Sequence, residues 1–137
     1  MHVLEWLRMK TKTHPPGNYP RLLGMQRLLS GVPEYILCDV DSDGYFPVIR
    51  NTRPFDEPSL VCWVGTPVES IYALYDGSSL SNCRVMEVKN LDFADVCRKC
   101  AAQGVKWVHT YLDAGEGKML WCPVPIATFF QRQGVTQ

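Results

Sequence analysis

The chain has 137 residues, of which 46% are hydrophobic and 20% are charged, so it is long enough to close one hydrophobic core and too short for two. Its 14 basic and 14 acidic side chains give a formal net charge of zero. No global field therefore attracts it to nucleic acid or to anionic lipid. No stretch approaches the roughly 18 apolar residues of a membrane span, and Glu5 and Arg8 interrupt the apolar start that a secretory signal would need. We expect a cytosolic protein with no membrane contact and no nucleic-acid partner.

The chain begins with an arm and a linker. Residues 11–20 contain three prolines and one glycine, a composition typical of linkers. We therefore predict an N-terminal arm and linker over residues 1–19 and one domain over residues 20–137. The next segment, residues 21–31, predicts a helix that lies on a sheet. Its apolar stripe consists of Leu22, Met25, Leu28 and Leu29.

A hairpin turn follows, because the apolar runs YILCDV and YFPVIR flank an Asp-Gly pair. Asp39, Asp41, Asp43 and Gly44 also match the opening of a calcium-binding loop, in which alternate carboxylates surround the cation. The twelfth position of such a loop is Arg50, however, where a bidentate glutamate is required, and the flanks have strand patterns. We interpret the segment as a hairpin tip with an acidic corner that a basic partner could use.

The central elements continue the strand and helix pattern. Residues 59–64, SLVCWV, predict a third strand. Thr66, Pro67 and Glu69 then form the sequence of a capping box, which predicts a side-chain cap at the start of a helix that Asp76-Gly77 ends.

The C-terminal half predicts a strand, a helix and a second hairpin. The strand covers residues 84–89, the helix begins at Phe93 and ends before Gly104, and a glycine-rich turn joins strands 105–111 and 118–122. Hairpins supply antiparallel neighbours and crossovers supply parallel ones. The sequence therefore predicts an α+β fold: a mixed or antiparallel sheet of about six strands, covered by two to three helices in a single domain.

The six cysteines are expected to remain thiols in the cytosol. Cys97 and Cys100 have the spacing of half a zinc site or of a redox pair, but no second closely spaced pair exists. Both positions also lie on the apolar stripe of the predicted helix, so we interpret them as core residues and expect no metal and no cofactor. The alternative is a metal- or thiol-dependent enzyme that uses Cys97, Cys100 and His109, with Cys122 and Asp113 as further candidates.

An aromatic strand face is the best candidate for binding. Trp107, His109 and Tyr111 alternate and therefore share one face of their strand. That face is either covered by a helix or open to a ligand. Tryptophan and tyrosine are enriched at binding hot spots because they bury much area at little entropic cost. The predicted binding residues are Trp63, Trp107, His109, Tyr111 and Trp121.

The segments EYILCDVDSDGYFPVIR, SLVCWVGTPVESIYAL and VMEVKNLDFADVCRKCAAQGVKWVHT, within residues 34–122, resemble the SseB-like family. This family is named for enhanced serine sensitivity and is often linked by name to type III secretion. The likeness covers the opening hairpin, the strand with its following helix, and the later strand, helix and strand. The sequence departs from the family at the turn Trp-Val-Gly-Thr-Pro and at His109-Thr110-Tyr111. The resemblance implies a bacterial protein and transfers no catalytic residue.

The sequence contains no reactive constellation of a familiar type, such as a nucleophile elbow or a zinc-protease motif. We therefore predict a non-catalytic cytosolic domain of SseB-like type that interacts with another protein or has a regulatory role. Two alternatives stay open. One is the metal- or thiol-dependent enzyme, and the other is a small phage or mobile-element inhibitor that occupies the surface of a host protein.

Overall fold

The computed structural model describes residues 19–41, 44–77 and 82–131. In this part of the chain, seven strands form one mixed sheet and three α-helices lie on its faces. The helices are α1 (Tyr19–Ser30), α2 (Val68–Tyr75) and α3 (Phe93–Ala102). The strands are β1 (Tyr35–Asp41), β2 (Gly44–Pro47), β3 (Ile49–Thr52), β4 (Glu57–Trp63), β5 (Arg84–Glu87), β6 (Trp107–Gly115) and β7 (Lys118–Pro125). The predicted single α+β domain is confirmed.

The N-terminal arm predicted for residues 1–19 lies outside the described residues, with the exception of Tyr19. That residue is the first of α1. The helix predicted over residues 21–31 is confirmed with a start two residues earlier and an end at Ser30.

Among the described strands, one adjacent pair is parallel and the other pairs are antiparallel. β1 pairs with β5 along one edge, and along the other edge with β2 and with the end of β4. β4 runs parallel to β6, which forms an antiparallel hairpin with β7. The parallel pair requires a long crossover. The chain makes it through α2, β5 and α3, and β5 joins the sheet at the edge of β1 opposite β4.

A corner at Val48 divides the run that the sequence predicts as one strand. The Val48 N–H donates to the Leu37 carbonyl of β1, and its carbonyl accepts from the Val61 N–H of β4. The N–H and the carbonyl of Val48 are therefore bonded to two different strands, and the chain turns here from β2 into β3. This break accounts for the seventh strand. Val48 is fully buried, so packing as well as hydrogen bonding fixes the corner.

One face of the sheet, the helical face, carries α1 and α3. Phe93, Cys97 and Cys100 of α3 are buried against apolar residues of β1, β4 and β6. Leu29 of α1 is buried against the apolar side of the β6–β7 hairpin. The predicted apolar stripe of α1 is wrong at Leu28, which is half exposed, and the side chain of Leu22 lies outside the described residues.

The opposite face carries α2 over β1, β4 and β5. Tyr75 of this helix packs against a core cluster that contains Leu37, Val48 and Val61, and Ile71 is fully buried. The Tyr72 hydroxyl accepts a hydrogen bond of 2.9 Å from the Val85 N–H. The outward-facing N–H groups of an edge strand are normally hydrogen-bonded to water. α2 therefore covers part of the edge of β5.

The capping box predicted at the start of α2 does not form. Pro67 occupies the N-cap position, and no side chain of the described residues caps the helix. The Thr66 hydroxyl instead donates to the Val64 carbonyl and accepts from the Asp113 N–H of β6, both at 3.0 Å. Thr66 is buried, so a tertiary hydrogen bond to a distant strand replaces the local cap.

Candidate protein-interaction surface

The five predicted binding residues share one surface, which we call the aromatic face. Trp63, Tyr111 and Trp121 occupy one row across β4, β6 and β7, because Tyr111 is in register with both tryptophans. His109 lies next to this row, and its ring is 4.7 Å from that of Tyr111 and 5.3 Å from that of Trp121, centroid to centroid. The structure thus brings together residues that are 58 positions apart in the sequence, from Trp63 to Trp121.

Burial separates these five residues into two groups. Trp63 and His109 are each only 2% exposed. Trp107, Tyr111 and Trp121 are half-buried. A partner can contact the second group directly, whereas the first group is part of the packed interior. The aromatic face is therefore covered at its centre and open around it.

His109 has the environment of a neutral core residue. Burial lowers the pKa of its imidazole to about 4. Its Nδ1 atom is buried and has no hydrogen-bond partner among the described residues, and the Trp121 ring is stacked on the imidazole ring with an interplanar angle of 19°. A base with so low a pKa is uncharged near pH 7 and is a weak proton acceptor. The geometry does not favour a catalytic role.

Trp107, at the far end of the aromatic face, is held by its neighbours. The Phe55 ring stacks on it at 4.6 Å, and its indole N–H donates to the Glu57 carboxylate at 3.2 Å. Lys106 reaches the same carboxylate at 3.0 Å. Hydrogen bonds from Lys106 and Trp107 lower the pKa of Glu57. One ring face and the N–H of the indole are thus already engaged within the chain.

The cysteines of the alternative enzyme are separated from its histidine by the sheet. Cys97 and Cys100 pack on the helical face with Val108, and His109 follows Val108 on β6 and points to the opposite face. Burial raises the pKa of Cys97 to about 12 and also raises that of Cys100. Among the described residues, no three His, Cys, Asp or Glu side chains are grouped to hold a metal ion. The two thiols behave as core residues, as the sequence predicts.

The predicted hairpin at Asp39 to Gly44 is confirmed, with β1 and β2 as its arms. Asp41 and Gly44 are the last pair of the ladder, and residues 42 and 43 lie outside the described residues. The Asp39 carboxylate accepts a hydrogen bond of 3.2 Å from the Cys83 thiol. The flanking strands are those of a turn and not the helices of a calcium-binding loop.

The same hairpin exposes apolar side chains that the sequence does not single out. Val40, Tyr45 and Phe46 are 44%, 57% and 50% exposed. Val40 and Tyr45 are directly opposite each other on one side of the hairpin, and Phe46 lies opposite Asp39 on the other side. The strand pattern indicated which side each residue occupies. The strand pattern did not indicate that no helix covers the hairpin, so it did not predict the exposure of these side chains.

A second surface is a cleft of about 490 Å³ between residues 32–35 and residues 87–93. Its base includes Val88 and Phe93, which are buried. At its rim Lys89 pairs with Glu87 at 3.1 Å, and the Glu34 carboxylate accepts a hydrogen bond from the Gly65 N–H. The polar groups of these three side chains are thus already engaged within the chain.

Comparisons with family models, with curated proteins and with solved structures find no match. The resemblance to the SseB-like family stays a prediction. No helix in the described part of the chain is long and apolar enough to cross a membrane.

Proposed function

We propose that this chain is a non-catalytic protein-interaction or regulatory domain of SseB-like type and that its principal contact surface is the β1–β2 hairpin. The observation that carries the proposal is the exposure of Val40, Tyr45 and Phe46 on one short hairpin. Adjacent exposed apolar residues on a sheet edge are costly in water and mark a contact site more often than scattered ones do. The half-buried Trp107, Tyr111 and Trp121 form a secondary candidate surface.

The composition of the hairpin supports a protein partner over a small molecule. Small-molecule sites are concave and enclose most of their ligand, whereas a hairpin projects from the domain. Its exposed residues include an aromatic ring on each side, and such rings fit into pockets of a partner.

The alternative of a metal- or thiol-dependent enzyme gains no support from the position of its residues. Cys97 and Cys100 lie on one face of the sheet and His109 on the other, so the three cannot act on one substrate. Metal analysis of the purified protein checks this directly, because a stoichiometric metal would require a different account. The inhibitor alternative uses the same kind of surface as the proposed function, and genomic neighbours separate the two.

The proposed function is tested by comparing three forms of the full chain in affinity capture from the source organism. These are the wild type, the double variant Tyr45→Ser/Phe46→Ser, and Leu74→Ser. Leu74 is a matched control because it is 52% exposed and lies on α2, outside the hairpin. We expect one partner to be retained by the wild type and by Leu74→Ser and to be lost by the double variant.

Thermal unfolding of all three proteins checks that the variants are folded. Surface substitutions usually change the free energy of unfolding by no more than about 0.5 kcal/mol, so the three proteins should unfold at similar temperatures. Capture of the same partner by a folded double variant would contradict the hairpin as the contact surface. If the hairpin variant keeps the partner and single Trp107→Ser, Tyr111→Ser and Trp121→Ser variants that stay folded each lose it, the proposal transfers to the aromatic face.

A further inference from the structure

The outer edge of β7 is blocked in part by prolines. No described strand lies beside this edge. The Ile126 N–H, directly after β7, donates to the Lys106 carbonyl, and in an antiparallel pair the residues that face the neighbouring strand alternate with residues that face outward. The outward positions of β7 therefore include Pro123 and Pro125, which have no N–H. These prolines remove donors that a further strand would need, and no conformational change can restore them.

The outer edge of β5 contains no proline and is blocked in a different way. No described strand lies beside it either. The Val88 N–H, directly after β5, donates to the Glu34 carbonyl, so the N–H groups of Val85 and Glu87 point away from β1. The Tyr72 hydroxyl of α2 accepts from the Val85 N–H at 2.9 Å. A side chain of a helix thus occupies a donor that a further strand would use.

The helix that supplies this hydroxyl is held by few contacts. α2 has eight residues, fewer than the roughly 12 that an isolated helix needs, and no described side chain caps its start. Ile71 is the one buried residue of this helix, and Tyr75 packs on the core beside it. Tyr72 is 39% exposed. A shift of one short helix can therefore remove the block on β5, whereas the prolines of β7 are part of the strand itself.

The edge of β5 is complementary to itself. Arg84 and Glu87 place one charge of each sign at its two ends, and both are exposed. Arg84 forms no ion pair within the described residues. When two copies pair in antiparallel order, the Arg84 end of each lies beside the Glu87 end of the other, whereas parallel order would bring like charges together.

The outward main-chain groups of β5 fit the same arrangement. With Met86 opposite Met86 of the second copy, the outward groups of Val85 face those of Glu87. Each Val85 N–H then donates to a Glu87 carbonyl, and each Glu87 N–H donates to a Val85 carbonyl. The hydrogen bond to Tyr72 and the bond to a second copy use the same Val85 N–H, so only one of the two can form.

We propose that α2 is a releasable guard of the β5 edge: the Tyr72 hydroxyl keeps the chain from pairing there, and loss of this contact lets β5 pair with β5 of a second copy. The inference is separate from the proposed function, because β5 and β2 pair with opposite edges of β1.

Analytical ultracentrifugation of the full chain over a series of protein concentrations tests the inference. Four proteins are compared: the wild type, Tyr72→Phe, Tyr72→Ser and Leu74→Ser. Tyr72→Phe removes the acceptor and keeps the ring, Tyr72→Ser removes both, and Leu74→Ser is the matched control, 52% exposed on the same helix. We expect the dissociation constant of the dimer to be lower for Tyr72→Ser than for the wild type by about tenfold or more, with Tyr72→Phe between them and Leu74→Ser unchanged.

A proline at position 85 separates pairing at β5 from other kinds of self-association. The Val85 N–H is not bonded to β1, so Val85→Pro removes the outward donor without breaking a bond of the ladder. In Tyr72→Ser/Val85→Pro, the dissociation constant should return to the wild-type value. Amide exchange gives a second readout: the Val85 amide should exchange faster in monomeric Tyr72→Phe than in the wild type, by about tenfold.

Equal self-association of the wild type and both Tyr72 variants would overturn the guard. A Tyr72→Ser dimer that persists with Val85→Pro would overturn pairing at β5. If Tyr72→Ser does not fold, Tyr72→Phe decides, and an unchanged exchange rate of its Val85 amide would show that the hydroxyl does not hold this donor and would overturn the inference. Affinity capture with the hairpin variant judges the proposed function independently, because that variant leaves Tyr72 and β5 intact.

Discussion

The β1–β2 hairpin and the aromatic face look alike in sequence and differ in the folded protein. Each presents several large apolar residues at strand spacing. At the aromatic face, residues of three neighbouring strands meet, and Trp63 and His109 become buried among the other rings. At the hairpin, only two strands are present, and Val40, Tyr45 and Phe46 stay exposed. Strand periodicity thus tells which side a residue faces, while the number of neighbouring elements decides whether that side is covered.

The largest effect that this comparison predicts concerns stability. Trp63→Ala should lower the free energy of unfolding by about 3–5 kcal/mol, because the ring is buried between Tyr111 and Tyr75 and its removal leaves a cavity. Tyr45→Ala is the matched control on the hairpin and should change it by no more than about 0.5 kcal/mol. Urea unfolding of both variants measures the difference. Equal losses would show that the hairpin is as well packed as the aromatic face.

A pH dependence comes next in size. The folded pKa of His109 is about 4, below its ordinary value of about 6.5, so the unfolded chain binds a proton more readily than the folded one. The stabilising effect of the neutral imidazole is complete above about pH 6.5 and is lost as the pH falls toward 4, a total of about 3 kcal/mol. Unfolding measured from pH 7 to pH 4.5 should show this loss, and His109→Phe should reduce the slope.

The proton titration of His109 by NMR gives an independent check that needs no variant. A midpoint near pH 6.5 in the folded protein would mean that the imidazole is solvated, and the aromatic face would then be open at its centre.

The smallest effect comes from two buried threonines. The Thr66 hydroxyl makes two hydrogen bonds, and the Thr110 hydroxyl is buried and has no partner in the part of the chain that the structure describes. Thr66→Val should lower the free energy of unfolding by about 1–3 kcal/mol, because it leaves the Asp113 N–H unsatisfied. Thr110→Val should be neutral or raise it by up to about 1 kcal/mol, because it removes an unsatisfied polar group. Thermal unfolding of the pair measures both, and a loss at Thr110 would show that its hydroxyl has a partner, such as a bound water.

Part of the candidate site could be predicted and part could not. The grouping of Trp107, His109 and Tyr111 follows from the two-residue period of a strand. The addition of Trp63 and Trp121 to the same row depends on strand register. The burial of His109 depends on rings contributed by other strands. The exposed hairpin residues were missed because nothing local distinguishes Tyr45 from Trp63, an apolar residue that becomes buried.

The sequence by itself determined the α+β class, the hairpin at Asp39 to Gly44 and the apolar stripe with Cys97 and Cys100. These features depend on hydrophobic periodicity and turn chemistry, which act over a few residues. The tertiary structure decided the corner at Val48, the use of the Thr66 hydroxyl and the covering of one aromatic surface but not of the other. Each of these depends on contacts between distant residues, such as Thr66 with Asp113, 47 positions apart. Such contacts exist only once the strands have found their order in the sheet.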